Sequence, residues 1–131
     1  MSENNRRPQA FFIAGTDTGV GKTLVSASLL FKAREQGLTT AALKPVAAGC
    51  EETAEGLRNE DALLLQQYCH PPLSYERINP VALREAIAPH IAAQRENRRL
   101  SVNGLSGFCR GVLSSRAELT VIEGAGGWKV P

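Results

Sequence analysis

The sequence predicts an α/β fold: a mostly parallel sheet flanked by helices. Three observations carry that prediction. Residues 10–14 form a short, aromatic, continuously apolar run, which suits a strand covered on both faces. That run passes straight into a glycine-rich segment, residues 15–23, and then into helical sequence. A second apolar run, residues 119–122, ends in Glu123 and another glycine-rich stretch, residues 124–127. The strand–helix–strand order is that of a parallel sheet with helical crossovers. At 131 residues, with 43% apolar and 21% charged, the chain is expected to form a single domain over residues 1–131. Residues 1–8 read as a flexible tail.

Each element has its own signals. The first helix is predicted from about Thr23 to Gln36. Leu24, Ala27, Leu30 and Phe31 can share a face there, Lys32 and Arg34 favour its C-terminal end, and Gly37 fits the position just past the last turn. Residues 39–44 form the second strand candidate, closed by Pro45. Residues 46–58 read as a loop. Asn59 is an N-cap, with Glu60 and Asp61 in the first turn of a short helix. Pro71, Pro72, Pro80 and Pro89 divide the middle of the chain into short pieces. A further helix is predicted over residues 102–115 and the third strand over residues 119–122.

Charge and cysteine content exclude several classes. Fifteen basic and 13 acidic residues leave a net charge of +2, and the densest basic clusters, Arg6–Arg7 and Arg98–Arg99, hold two residues each. Neither a nucleic acid nor an anionic membrane is an expected partner. No apolar run approaches the roughly 20 residues of a membrane span. Cys50, Cys69 and Cys109 form no CxxC pair, and His70 and His90 stand apart from them, so no zinc pattern is present. The polar N-terminus has no apolar segment behind it, and the expected location is the cytoplasm.

The strongest chemical signal lies in residues 15–23. A glycine-rich turn between a strand and a helix aims backbone N–H groups at one point, where the helix adds its partial positive charge. Gly21, Lys22 and Thr23 are the end of a phosphate-binding P-loop: Lys22 reaches the outer phosphates and the Thr23 hydroxyl ligates Mg²⁺. The spacing departs from the usual pattern, because Gly15 stands one residue earlier than expected, while Gly19 adds flexibility. Glu123, at the ligand-binding edge of a parallel sheet, supplies the carboxylate that such a site needs near its metal. Glu123 is expected to be replaceable without loss of core packing. On physics alone, Asp61 is either a metal ligand or a helix-dipole partner. Lys44 is either an anion-binding cation at a strand end or an ordinary surface lysine.

Taken together, these residues resemble the dethiobiotin synthetase family. The matching segments are residues 15–23, 44–47, 56–62, 79–80, 89–90 and 121–128, in order and at consistent spacing over almost the whole chain. The resemblance implies a P-loop NTPase-like fold and a ligase: an ATP- and Mg²⁺-dependent ring closure of 7,8-diaminononanoate with CO₂ to dethiobiotin, in biotin biosynthesis. It implies that Lys22, Lys44 and Thr18 act in catalysis and that Thr23, Asp61 and Glu123 surround Mg²⁺. ATP is assigned to Gly19, Val20, Gly21, Lys22, Thr23, Leu24, Asp61, Glu123, Gly124, Ala125 and Gly126. The diamine is assigned to Thr18, Lys44, Ala48, Gly124, Ala125 and Gly126. Many family members have an acidic residue where Gly19 stands and a serine where Ala48 stands. The family is also longer, so the resemblance implies that its C-terminal part, with adenine contacts and much of a homodimer interface, lies beyond residue 131, and that residues 1–131 alone do not turn over. Two related classes are the alternatives: partition and cell-division ATPase switches, and cobalamin-pathway amidotransferases. The switches carry an early P-loop lysine where this chain has Asp17, and nothing here suggests a glutaminase part.

Overall fold

The computed structural model describes residues 7–14 and 20–125. The expected P-loop segment at residues 15–19, residues 126–131 and most of the expected tail lie outside the described residues. The elements in chain order are β1 (Gln9–Ile13), α1 (Val20–Glu35), β2 (Thr40–Leu43), β3 (Val46–Ala47), β4 (Glu51–Thr53), β5 (Gly56–Arg58), α2 (Glu60–Gln66), α3 (Tyr75–Ile78), β6 (Val81–Ala82), α4 (Pro89–Arg95), α5 (Val102–Leu113) and β7 (Leu119–Glu123).

The main sheet has the order β1–β7–β2, and both pairings are parallel. Gln9 and Thr40 both face Leu119, so the three strands run in step, and Ile13 pairs with Glu123 at the far end. Strand alternation sorts the core into two layers. Ala42, Leu119 and Val121 point into a cluster with Leu30 and Ala33 of α1, Leu65 of α2 and Ile78 of α3. Ala41, Leu43 and Ile122 point the other way, against Val112 and Phe108 of α5. A smaller cluster joins Leu83 to Ala92 and Ala93 of α4.

Three expectations need correction. β1 is not covered on both faces: Phe11 is 46% and Phe12 66% exposed, because β7 is the only strand beside β1 among the described residues. The buried stripe of α1 is only partly the expected one: Ala27 and Leu30 are buried as expected. Leu24 is 64% and Phe31 51% exposed, while Thr23, Ser26, Ala27, Leu30 and Ala33 are buried. The buried row is mostly small and polar side chains, with Leu30 as its large apolar member. Residues 46–58 are not simply a loop: β3 pairs in parallel with β6, and β4 and β5 form an antiparallel hairpin.

Other elements follow the sequence closely. Gly37 has φ +79°, Gly37 N–H donates to Arg34 O at 2.9 Å and Leu38 N–H to Ala33 O at 3.0 Å, a Schellman ending for α1. Asn59 caps α2, its side-chain oxygen accepting from Ala62 N–H at 2.9 Å. Ser101 caps α5 through Gly104 N–H at 3.0 Å.

Candidate nucleotide and metal site

Parallel register brings the C-terminal ends of β7 and β2 to the same edge of the sheet, beside the first turn of α1. Three side chains meet there. Thr23 Oγ1 donates to Glu123 Oε1 at 2.8 Å, and Lys44 Nζ lies 3.0 Å from the same oxygen. All three residues are buried. Glu123 Oε2 is also buried and has no hydrogen-bond partner among the described residues. A carboxylate oxygen withdrawn from solvent costs free energy unless a cation or donor meets it. The Glu123 carboxylate, with the Thr23 hydroxyl on its other oxygen, is a hard-oxygen donor set, which fits Mg²⁺.

Lys22 sits one residue before Thr23 and is buried; its Nζ donates to Gly124 O at 3.3 Å. The first turn of α1 is thereby tied to the segment leaving β7. A Cβ at position 124 would stand 3.2 Å from Phe12 Cζ, so glycine there lets the backbone pass close to β1. Ser26 Oγ donates to Lys22 O at 2.9 Å and fills the buried side of that turn.

The main chain of Lys44 is held on both sides. Its N–H donates to Ile78 O at 2.8 Å, and its carbonyl accepts from Asn79 Nδ2 at 2.9 Å. Pro45 cannot continue the ladder through an N–H, so β2 ends at Leu43 and the side chain of the next residue, Lys44, meets Glu123.

The remaining residues assigned from sequence fall in different places. Val20 opens α1, Gly21 is exposed in its first turn and the Leu24 side chain points outward. Asp61 lies in the first turn of α2, and among the described residues no hydrogen bond or ion pair joins it to Thr23, Lys44 or Glu123. Ala48 packs beside the Leu83–Ala92–Ala93 cluster near α4. Ala125 is half-buried just beyond β7. Thr18, Gly19 and Gly126 lie outside the described residues. Glu123, expected to be replaceable without structural cost, is instead buried and shared by two partners, because β7 is the inner strand of the sheet.

Sequence reasoning missed Ser26, Tyr75 and the role of Asn79. Asn79 stood out only as the residue before Pro80. The informative signal was a polar side chain with amide donors and an acceptor, placed where a short helix meets a strand end.

The family model described as an AAA domain matches residues 9–131. The chain belongs to this family. Curated relatives match over a similar stretch. The ATP-dependent dethiobiotin synthetase BioD of Cellvibrio japonicus is 60% identical over 123 residues, covering 94% of this chain and 54% of the relative. The protein of the same name from Marinobacter nauticus is 55% identical, covering 92% of this chain and 52% of its own length. That from Pseudomonas paraeruginosa is 56% identical, over 93% and 54% respectively. The chain therefore spans about half the length of the curated relatives it matches.

Proposed function

We propose that this chain carries the phosphate- and metal-binding part of an ATP-dependent dethiobiotin synthetase. The observation that carries the reading is the 60% identity to such a protein over 94% of the chain. The buried meeting of Thr23, Lys44 and Glu123 supports it, as does Lys22 beside them. The reaction joins 7,8-diaminononanoate to CO₂ with ATP as co-substrate, giving dethiobiotin, ADP and phosphate. One amine takes up CO₂ as a carbamate. The γ-phosphoryl group passes to a carbamate oxygen, and the second amine attacks the carbamoyl carbon and expels phosphate.

Each stage presents negative charge, and the chain's cations answer it. Lys22, at the first turn of α1, faces the outer phosphates of ATP. Lys44 leaves Glu123 to hold the carbamate and the transferring phosphoryl group, where a preorganised cation stabilises developing charge. Thr23, Glu123 and Asp61 would hold Mg²⁺, which when bound neutralises phosphate charge. Thr18 with the backbone of residues 124–126 lines the diamine, and Gly19 to Leu24 follow the nucleotide phosphates. A homodimer in the cytoplasm is part of the same reading.

The test is ATP hydrolysis by the full-length protein, with and without diaminononanoate and bicarbonate. ADP release that requires both, with stoichiometric dethiobiotin, is the expected result. ATP turnover indifferent to the diamine would remove the synthetase reading and favour an ATPase switch. Lys44→Ala should lower kcat by about 10²–10³-fold, the loss typical of one preorganised charge-stabilising donor, with far less effect on ATP affinity. A kcat within about twofold of the parent's would reject the role of Lys44.

A further inference from the structure

Behind Lys44 lies a buried polar chain with no direct part in the site. Tyr75 and Asn79, one turn apart at the two ends of α3, are both buried. Tyr75 Oη donates to Asn79 Oδ1 at 2.7 Å and accepts from Asn59 N–H at 2.7 Å. Asn79 Nδ2 donates to Lys44 O at 2.9 Å and to Val81 O at 3.1 Å. Asn59 in turn caps α2, two residues before Asp61. The Arg58 guanidinium lies 4.3 Å from the Tyr75 ring centre and closes the outer end.

The side chains of Tyr75 and Asn79 use every donor they have. Asn79 spends both amide hydrogens and its oxygen, and the Tyr75 hydroxyl gives one bond and takes one. Burial pushes the Tyr75 hydroxyl above its ordinary pKa, so it remains a donor across the neutral range. A fully satisfied buried network fixes one geometry, whereas each deletion leaves an unpaired buried group.

We infer that Tyr75 and Asn79 are positioning residues, which fix the main chain of Lys44 and lock it to the N-cap of α2 so that the Lys44 ammonium and the Asp61 turn keep one spacing. This rests on the proposed role of Lys44 for its catalytic consequence, but not for the coupling itself. An amide that accepts no substrate and touches no reacting atom then controls turnover through a backbone carbonyl.

Two variants test it in the full-length protein. Asn79→Ala removes the bond to Lys44 O. Tyr75→Phe keeps the ring and its packing and removes only the hydroxyl, so it decides the matter if the alanine variant does not fold. Hydrogen exchange is read at the Asn59 and Lys44 amides without ligand, and steady-state kinetics are read beside it. Tyr75→Phe should speed exchange at both amides by about tenfold, the scale of one lost buried bond. It should also lower kcat by about 5–10-fold while KM for ATP stays within about twofold, since small misplacements of a catalytic group are costly. Faster exchange at Asn59 alone, with Lys44 unchanged, would overturn the coupling. Faster exchange at both with kcat within about twofold would reduce the pair to a structural role. If the parent shows no diamine-dependent turnover, the functional reading fails, and the exchange result alone then decides the coupling.

Discussion

Strands β1 and β7 lie side by side in parallel register over five residue pairs, and both are largely apolar, yet only one is buried. β7 has a strand on each side, α1 over one face and α5 over the other. Among the described residues β1 has β7 alone, and its two phenylalanines are exposed. Strand-forming sequence therefore sets the backbone, and neighbours set the depth. The chemistry follows the depth: Glu123 stands at the end of the inner strand, where solvent cannot screen its pairing with Lys44.

The sharpest way to break this contrast is at Glu123. Glu123→Ala should cost about 3–5 kcal/mol in urea unfolding, the range for stripping one partner from a buried ion pair. Replacing both members, Lys44→Met with Glu123→Leu, should recover most of that loss, because neither partner then leaves the other as an unpaired buried charge. If the single variant is as stable as the parent, the pair is not as withdrawn from water as its geometry shows.

A smaller effect is expected inside β7. Val121 is fully buried between α1 and the sheet, so Val121→Ala should cost about 2 kcal/mol through lost contact and a residual cavity. Thermal and chemical unfolding should agree on that value within error.

The same core layer has a pH signature. Burial pushes the Cys69 thiol from 9.0 up to about 11. The folded chain keeps this proton where the unfolded chain releases it, so stability is unaffected below about pH 9 and falls as pH rises toward about 11. The loss should be on the order of 2 kcal/mol in all, and Cys69→Ala should flatten that alkaline limb. A pH–stability profile of both proteins checks it. An unchanged slope would place the alkaline sensitivity elsewhere.

The smallest effect is expected on β1. Phe12→Ser should change stability by no more than about 0.5 kcal/mol in this chain, as for exposed positions generally. A loss comparable to that of Val121→Ala would mean that β1 is covered in solution.

Much of the fold was legible in short-range signals. Asn59 and Gly37 satisfy helix-end groups within a few residues of themselves, so their roles follow from local chemistry. The apolar runs of β1, β2 and β7 were legible because a strand leaves few other uses for such residues. The helix face of α1 was only half legible: Ala27 and Leu30 are buried as expected, but Leu24 and Phe31, chemically like Leu30, are exposed, because the approach of β7 decides which row is buried. The short pairs β3–β6 and β4–β5 carry too few residues to show a period.

The candidate site divides in the same way. The sequence by itself determined which groups can do the chemistry: a glycine-rich turn ahead of a helix, two lysines, a threonine and carboxylates at element ends. It did so because those functions need particular atoms, and the atoms belong to residue types. Only the tertiary structure decided that Lys44 and Thr23 converge on one oxygen of Glu123, 79 and 100 residues away in the chain. It also decided that Asn79 holds the backbone behind them. Those meetings depend on strand order and register, which are set by the summed burial of two core layers rather than by any one segment.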